Sequence, residues 1–272
     1  MWTYATAINN PGVIVGYAHE QYQPPVGYVR HPDGRLTYPI RIIDETTLTG
    51  INNSNVIVGW YRFTTQALTS IRGFRIAGGN TKVIDISRGI FPRTQITGIN
   101  GTGALVGVAD AGDGNTDGFL LSAGTVEWLK PFAYPKGIAA DGTIVGCFYP
   151  QGNTPAVPFL RGPKGNYLTL RIPGADSACA NAMNNTARKI VGSYTDGPTG
   201  SKHGFIYDYV SDLGAGPALS GLPTREIAVQ VVDYPGAANT EIMAINGDGV
   251  IVGTASNSDG IPYAFIGTPE SN

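Results

Sequence analysis

The chain carries few groups suited to covalent or metal chemistry. Three histidines (His19, His31, His203) and two cysteines (Cys147, Cys179) are scattered over 272 residues. A metal centre needs clustered imidazole, thiolate or carboxylate ligands. Neither residue type shows such spacing, so no metal is expected. No Gly-x-Ser-x-Gly elbow marks a nucleophilic serine, and no Gly-rich phosphate loop stands between a strand and a helix. What remains is acid–base and shape chemistry. Lys136, Tyr134, Glu241 and Arg62 are the candidate catalytic groups. Tyr4, Trp60, Tyr61, Gln95, Phe132, Tyr149, Asn181, Tyr194, His203 and Met243 are the candidate substrate-binding residues. Such a set suits cyclisation of the hetero-Diels–Alder kind, where orientation and polarisation of one carbonyl do most of the work. The expected guest is an organic small molecule, aromatic or terpenoid, handled without a cofactor. The alternative is a non-catalytic module that binds glycan or protein.

These candidates are selected by how an internal repeat varies. One copy reads Ala7-Ile8-Asn9-Asn10-Pro11-Gly12-Val13-Ile14-Val15-Gly16, and the next reads Gly50-Ile51-Asn52-Asn53-Ser54-Asn55-Val56-Ile57-Val58-Gly59. Further copies are anchored at Ile99, Ile138, Met183 and Ile245. A period of about 45 residues is that of a four-stranded propeller blade. Strand A ends in the Ile-Asn turn and strand B carries Ile-Val-Gly. Strand C carries an aromatic: Tyr28, Phe74, Phe119, Phe159, Phe205 or Phe265. Strand D is a β-branched run such as Ile40 to Ile43, Val83 to Ile86 or Ile227 to Val232, residue types that favour strands.

The sequence therefore predicts an all-β chain, one six-bladed β-propeller domain over 1–272. The blades fall near 1–44, 45–88, 89–130, 131–172, 173–234 and 235–272. Too few residues follow Phe265 for an obvious strand D, so the sixth blade reads as incomplete. A Gly/Ala/Pro/Ser-rich insertion, Val210 to Pro223, lengthens the C–D link of blade five. The Gly after Ile-Val sits inside a strand, which points to close approach of another backbone. Crowding of blades near the axis is the expected source. The repeated Asn can bond the backbone of its own turn.

The motif Gly-Ile-Asn-x-x-Gly-x-Ile-Val-Gly, with His203-Gly204-Phe205 and the Pro173-Gly174-Ala175 and Pro235-Gly236-Ala237 segments, resembles the HAF-type extracellular repeat over nearly the whole chain. The resemblance implies a β-propeller in a secreted or cell-surface protein, and no defined reaction. Ala139 departs from it by replacing the turn Asn. Fungal natural-product cyclases offer a fold-level analogy only.

Variable loops on a rigid scaffold are where binding groups collect. The A–B turns are tight and repetitive, whereas the B–C links differ in every copy, from Ala18 to Val26 in the first and Tyr61 to Arg72 in the second. B–C and D–A links leave a blade at the same end, so that end is the candidate functional face. At the start of strand A two positions vary while the rest repeats. Four residues before the anchor stand Tyr4, Thr47, Gln95, Tyr134, Cys179 and Glu241. Two before stand Thr6, Thr49, Thr97, Lys136, Asn181 and Met243.

Charge and composition exclude other classes. With 18 basic and 20 acidic residues and no basic stripe, the chain does not read as a nucleic-acid binder. No apolar run approaches membrane-span length. Met1-Trp2-Thr3 has no basic and apolar leader, so no signal peptide is read there. Cys147 and Cys179 would lie near one rim on adjacent blades. Buried free thiols are expected, with a disulfide as the alternative. Asn52 and Asn184 match glycosylation sequons but occupy the structural turn position.

Overall fold

A computed structural model describes residues 1–65, 68–89, 92–112, 115–149, 155–184, 186, 188–209, 218–219 and 222–269. Among them Phe91 and most of the blade-five insertion are not included. The described chain is a ring of antiparallel sheets, a six-bladed β-propeller. Blade one is β1 (Trp2–Ile8), β2 (Ile14–His19), β3 (Val26–Arg30) and β4 (Leu36–Ile40). Blade two is β5 (Glu45–Ile51), β6 (Ile57–Thr64), β7 (Thr69–Ala77) and β8 (Asn80–Ile84). Blade three is β9 (Thr94–Ile99), β10 (Leu105–Asp110), β11 (Thr116–Ser122) and β12 (Thr125–Trp128).

Blade four is β13 (Ala133–Ile138), β14 (Ile144–Phe148), β15 (Val157–Arg161) and β16 (Tyr167–Arg171). Two further strands, β20 (Ala218–Leu219) and β21 (Leu222–Glu226), extend its outer edge, with β21 parallel to β16. Blade five is β17 (Ala175–Asn184), β18 (Lys189–Asp196), β19 (Lys202–Asp208) and β22 (Gln230–Val232). The long C–D link of blade five thus serves the neighbouring blade before returning to its own. Blade six is β23 (Asn239–Ile245), β24 (Ile251–Ser256) and β25 (Pro262–Gly267), three strands among the described residues.

Each sheet buries one aromatic from strand C. Phe74, Phe119, Phe159 and Phe205 are fully buried. Burial of a ring of this size contributes roughly 3 kcal/mol at most. The β-branched runs sit differently from expectation. In blade one the fourth strand ends at Ile40, and Ile42 lies beyond it, packed with Tyr61 and Phe74 of blade two. Ile86 and Leu129 repeat the arrangement beneath blades three and four. In blade five Ile227 is likewise buried ahead of the short β22. These apolar residues fill the seam between blades as well as the outer strand, so a β-branched run overstates where strand pairing occurs. In blade two, strands β6 and β7 pair from Ile57↔Ile76 out to Thr64↔Thr69. Tyr61, Arg62, Phe63 and Arg72 therefore lie on strands and not in an open link.

The Asn of the repeat does more than close its own turn. Asn52 Oδ1 accepts from Val56 N at 3.0 Å, while Asn52 Nδ2 donates to Asn100 O on the next blade at 3.1 Å. Asn9 donates to Asn52 O and Asn100 to Ala139 O, each at 3.0 Å. Asn246 donates to Asn9 O at 3.3 Å, which joins the last blade to the first. The glycosylation reading of Asn52 is set aside by this geometry, because the amide nitrogen a glycan would need is buried and engaged.

Candidate functional site

The innermost strand of every blade contains a β-bulge at the same place in the repeat, and β17 has a second between Ala175 and Ser177. The pairing register shifts between Ala5 and Ala7, Leu48 and Gly50, Ile96 and Gly98, Pro135 and Gly137, Ala180 and Ala182, and Ile242 and Ala244. The extra residues are Thr6, Thr49, Thr97, Lys136, Asn181 and Met243. A bulge leaves its residue out of the ladder and re-aims its side chain. Here all six line a cavity of about 210 Å³ on the ring axis.

The bulge also explains the glycine of Ile-Val-Gly. At Gly107 a Cβ would lie 2.1 Å from Gln95 O and 2.9 Å from the Phe119 ring. At Gly59 it would lie 2.0 Å from Thr47 O. The close backbone is thus strand A of the same blade, pushed in by the bulge. It is not a neighbouring blade crowded at the axis.

Four of the six bulge side chains fasten their blade to the next. Thr6 Oγ1 donates to Leu48 O at 2.8 Å, Thr49 Oγ1 to Ile96 O at 2.7 Å, and Thr97 Oγ1 to Pro135 O at 2.7 Å. Asn181 Nδ2 donates to Ile242 O at 2.9 Å. Lys136 and Met243 break the pattern: the lysine makes no inter-blade bond among the described residues, and the Met243 sulfur only accepts from Asn181 Nδ2 of blade five at 3.7 Å. They flank Asn181, on blades four and six. The bulge ring is therefore three threonines on one side and Lys136, Asn181 and Met243 on the other.

A second cavity of about 240 Å³ adjoins this divergent side. Lys136, Asn181 and Met243 line both cavities. Tyr149, Tyr194, Lys202, Glu241, Ser177 and Ser193 line the second alone. Tyr149 follows β14 directly and Tyr194 and Lys202 come from the B–C end of blade five, so this cavity lies at the end where B–C and D–A links leave the blades. Lys202 pairs with Glu241 across blades five and six. Lys136 Nζ stands 4.7 Å from the Tyr134 ring centre and forms no ion pair or hydrogen bond among the described residues. Burial holds its pKa below the ordinary lysine value, and the Glu241 charge offsets part of that. Burial raises the Tyr134 phenol, helped by Tyr149 and opposed by Arg93. Tyr149 is also raised by burial, with Lys202 and Glu241 acting in opposite senses.

Tyr134 touches the site only through its ring contact with Lys136, and it and the other sequence candidates lie outside these linings. Tyr4 stacks on Tyr17 with ring centres 4.6 Å apart, and its phenol is raised by burial and by Glu241. His203 Nδ1 donates to Asp233 Oδ2 at 2.8 Å, and the ring packs 5.4 Å from Tyr194. Arg62 pairs with Glu45 at 3.0 Å on blade two, and Tyr61 belongs to the core cluster between blades one and two. Trp60 pairs with Thr47 and Gly73, and Gln95 sits opposite Val108. Phe132 is exposed on the link before β13. Lys202, Ser177 and Ser193 joined the site without being singled out as site residues. Their only sequence signal is position at the variable end of blade five.

Cys147 of β14 and Cys179 of β17 form a disulfide, with Cα atoms 5.1 Å apart, which corrects the expectation of free thiols. It clamps blades four and five directly beneath the second cavity, and Cys179 is part of the lining. No protein-family model matches this chain, and a search of curated proteins finds no match either. Among the described residues no three His, Cys, Asp or Glu side chains cluster closely enough to hold a metal. No described helix is long and apolar enough to cross a membrane.

Proposed function

We propose that this propeller binds an organic small molecule in the paired cavities at blades four, five and six, and acts on it by orientation and acid–base chemistry of the cyclase or isomerase kind. The observation that carries the reading is the broken bulge ring. Lys136 gives up the inter-blade bond that four equivalent residues keep, Met243 keeps only a weak sulfur contact with Asn181, and both line the same two cavities. A scaffold position that forgoes stability is expected where function replaces it. Glu241 and Tyr149, in the lining of the second cavity, supply groups that can take or give a proton beside a bound carbonyl. The HAF-type motif supports a secreted setting, as does the disulfide, which persists in oxidising compartments.

The test is a thermal-shift screen of aromatic and terpenoid aldehydes, ketones and enones, run on the wild-type chain and on Lys136→Met and Arg62→Ala. The reading expects ligands that raise the melting temperature of wild type and Arg62→Ala but not of Lys136→Met. Ligands that stabilise all three alike would place binding elsewhere. A screen in which only oligosaccharides bind would favour the non-catalytic propeller.

A further inference from the structure

We propose that Lys136 is a covalent site: its amine condenses with the carbonyl of an aldehyde or ketone bound in the paired cavities. This rests on the small-molecule reading above and names its substrate class and chemistry. The argument begins with geometry. Lys136 sits on a bulge that aims it into the cavity, and it lines both the axial and the adjoining space. The lysine Nζ has no carboxylate or carbonyl partner among the described residues. The nearest anion in the site, Glu241, is already paired with Lys202. A half-buried ammonium whose one partner is the Tyr134 ring is poorly compensated, which shifts such a lysine toward its neutral form. Neutral lysine amines in desolvated pockets are the ones that attack carbonyls.

A bound anion would be the other use for such a lysine. The Lys202–Glu241 pair in the same cavity already matches one cation with one anion, so the lining offers an anion no charge beyond Lys136 itself. A neutral carbonyl compound needs none.

The step balances without an outside reagent. The Nζ lone pair forms a bond to the carbonyl carbon, and the C=O π pair moves to oxygen. Nitrogen loses one proton and the oxygen gains one, giving a carbinolamine. Loss of that hydroxyl as water, with departure of the second nitrogen proton, leaves the imine. Glu241 and Tyr149 line the second cavity and can relay these protons. Ser177 and Ser193 add polar edges to the cavity wall.

The experiment uses the full chain, benzaldehyde as probe and cyanoborohydride to reduce any imine, followed by peptide mapping. Lys82, Lys130, Lys164 and Lys189 act as internal references, and Lys202, which lines the same cavity, and the N-terminal amine are scored apart. The expected result is benzylation of Lys136 at least about tenfold faster than of any reference lysine near neutral pH, a ratio that one pKa unit supplies. Excess benzyl alcohol, which has the shape but not the carbonyl, should slow it. A Lys136 rate within the range of the reference lysines overturns the inference. If benzyl alcohol binds in that case, the small-molecule reading survives. Fast labelling that benzyl alcohol does not slow supports the reactive amine and contradicts the cavity as a binding site for such guests. Lys136→Arg keeps a long nitrogen-bearing side chain without a condensable amine, and its thermal melt checks that lost labelling is not lost folding.

Discussion

Thr97 and Lys136 occupy equivalent bulges on adjacent blades, and Thr97 Oγ1 donates to the carbonyl of Pro135, the residue beside Lys136, at 2.7 Å. One fastens the ring and the other leaves the fastening out. Lys136→Thr restores the repeat, removes a half-buried amine and brings a hydroxyl to the place where its counterparts bond the next blade. The variant should gain about 1–2 kcal/mol of stability, or roughly 2–6 °C in melting temperature, while losing small-molecule binding. A thermal melt with and without a screened ligand checks both. A destabilised variant would contradict the fastening role given to the other bulge residues.

The repeat glycine is under a different constraint. Gly107→Ala would force a Cβ against Gln95 O, whereas at Gly101, in the turn of the same blade, no atom lies within 4 Å. Gly107→Ala should cost about 3 kcal/mol or prevent folding. Gly101→Ala should stay within roughly 0.5 kcal/mol of wild type. Urea denaturation of the two variants decides it, and equal midpoints would show that the bulge is not as tight as described.

Asn100→Ala removes the bonds to Ala104 N, at 2.9 Å, and to Ala139 O, at 3.0 Å. Two buried backbone groups lose their side-chain partner, so a loss of about 2–4 kcal/mol is expected. Asn52 should carry no glycan when the protein is made through a secretory route. Peptide mapping of the folded product reads this directly, and an occupied Asn52 would contradict the buried inter-blade bond.

The phenol of Tyr28 is pushed up to about 12, chiefly by burial, with Arg30 acting the other way. In the unfolded chain tyrosine ionises near 10. Below that pH both states keep the proton. Between about 10 and about 12 only the unfolded chain releases it, so stability is lost as pH rises through that window. Tyr28→Phe forfeits the bond to Tyr4 O, at 3.1 Å, and costs about 1 kcal/mol at neutral pH. Its alkaline decline should be shallower than wild type by roughly 2 kcal/mol. An identical decline, followed by urea unfolding at each pH, would deny the burial.

Reduction of Cys147–Cys179, which spans 32 residues, should lower stability by about 3–4 kcal/mol. Cys147→Ala/Cys179→Ala should show the same loss and become insensitive to reductant. If that double variant matches oxidised wild type in the melt, the clamp between blades four and five carries no stability.

The ring, the strand roles and the variable end were legible in sequence because each repeats a local pattern. The turn Asn, the Gly of Ile-Val-Gly and the strand-C aromatic mark these at fixed offsets. The two divergent positions of strand A were also visible, since Lys136 and Met243 stand where three threonines recur. What made them a site was not visible. A bulge has no composition of its own, and the bond from Thr97 reaches a backbone carbonyl on the next blade. The inter-blade bond of Asn52 escaped for the same reason, because a carbonyl acceptor leaves no residue-type signature. Strand β21 was missed because its partner, β16, lies on another blade. Tyr61 and Arg62 were misplaced because a long hairpin and a long loop are both rich in aromatic and basic residues here.

The central claim is that ligands bind where the bulge ring is broken. The most direct measurement is crystallographic: crystals of the wild-type protein soaked with a panel of small aldehydes, ketones and their alcohol counterparts. The account predicts density in the paired cavities, in contact with Lys136, Asn181 or Met243, and continuous with Lys136 Nζ for the carbonyl compounds. Fragments gathered on the threonine side of the axis or on the outer blades, with these cavities empty, would contradict it.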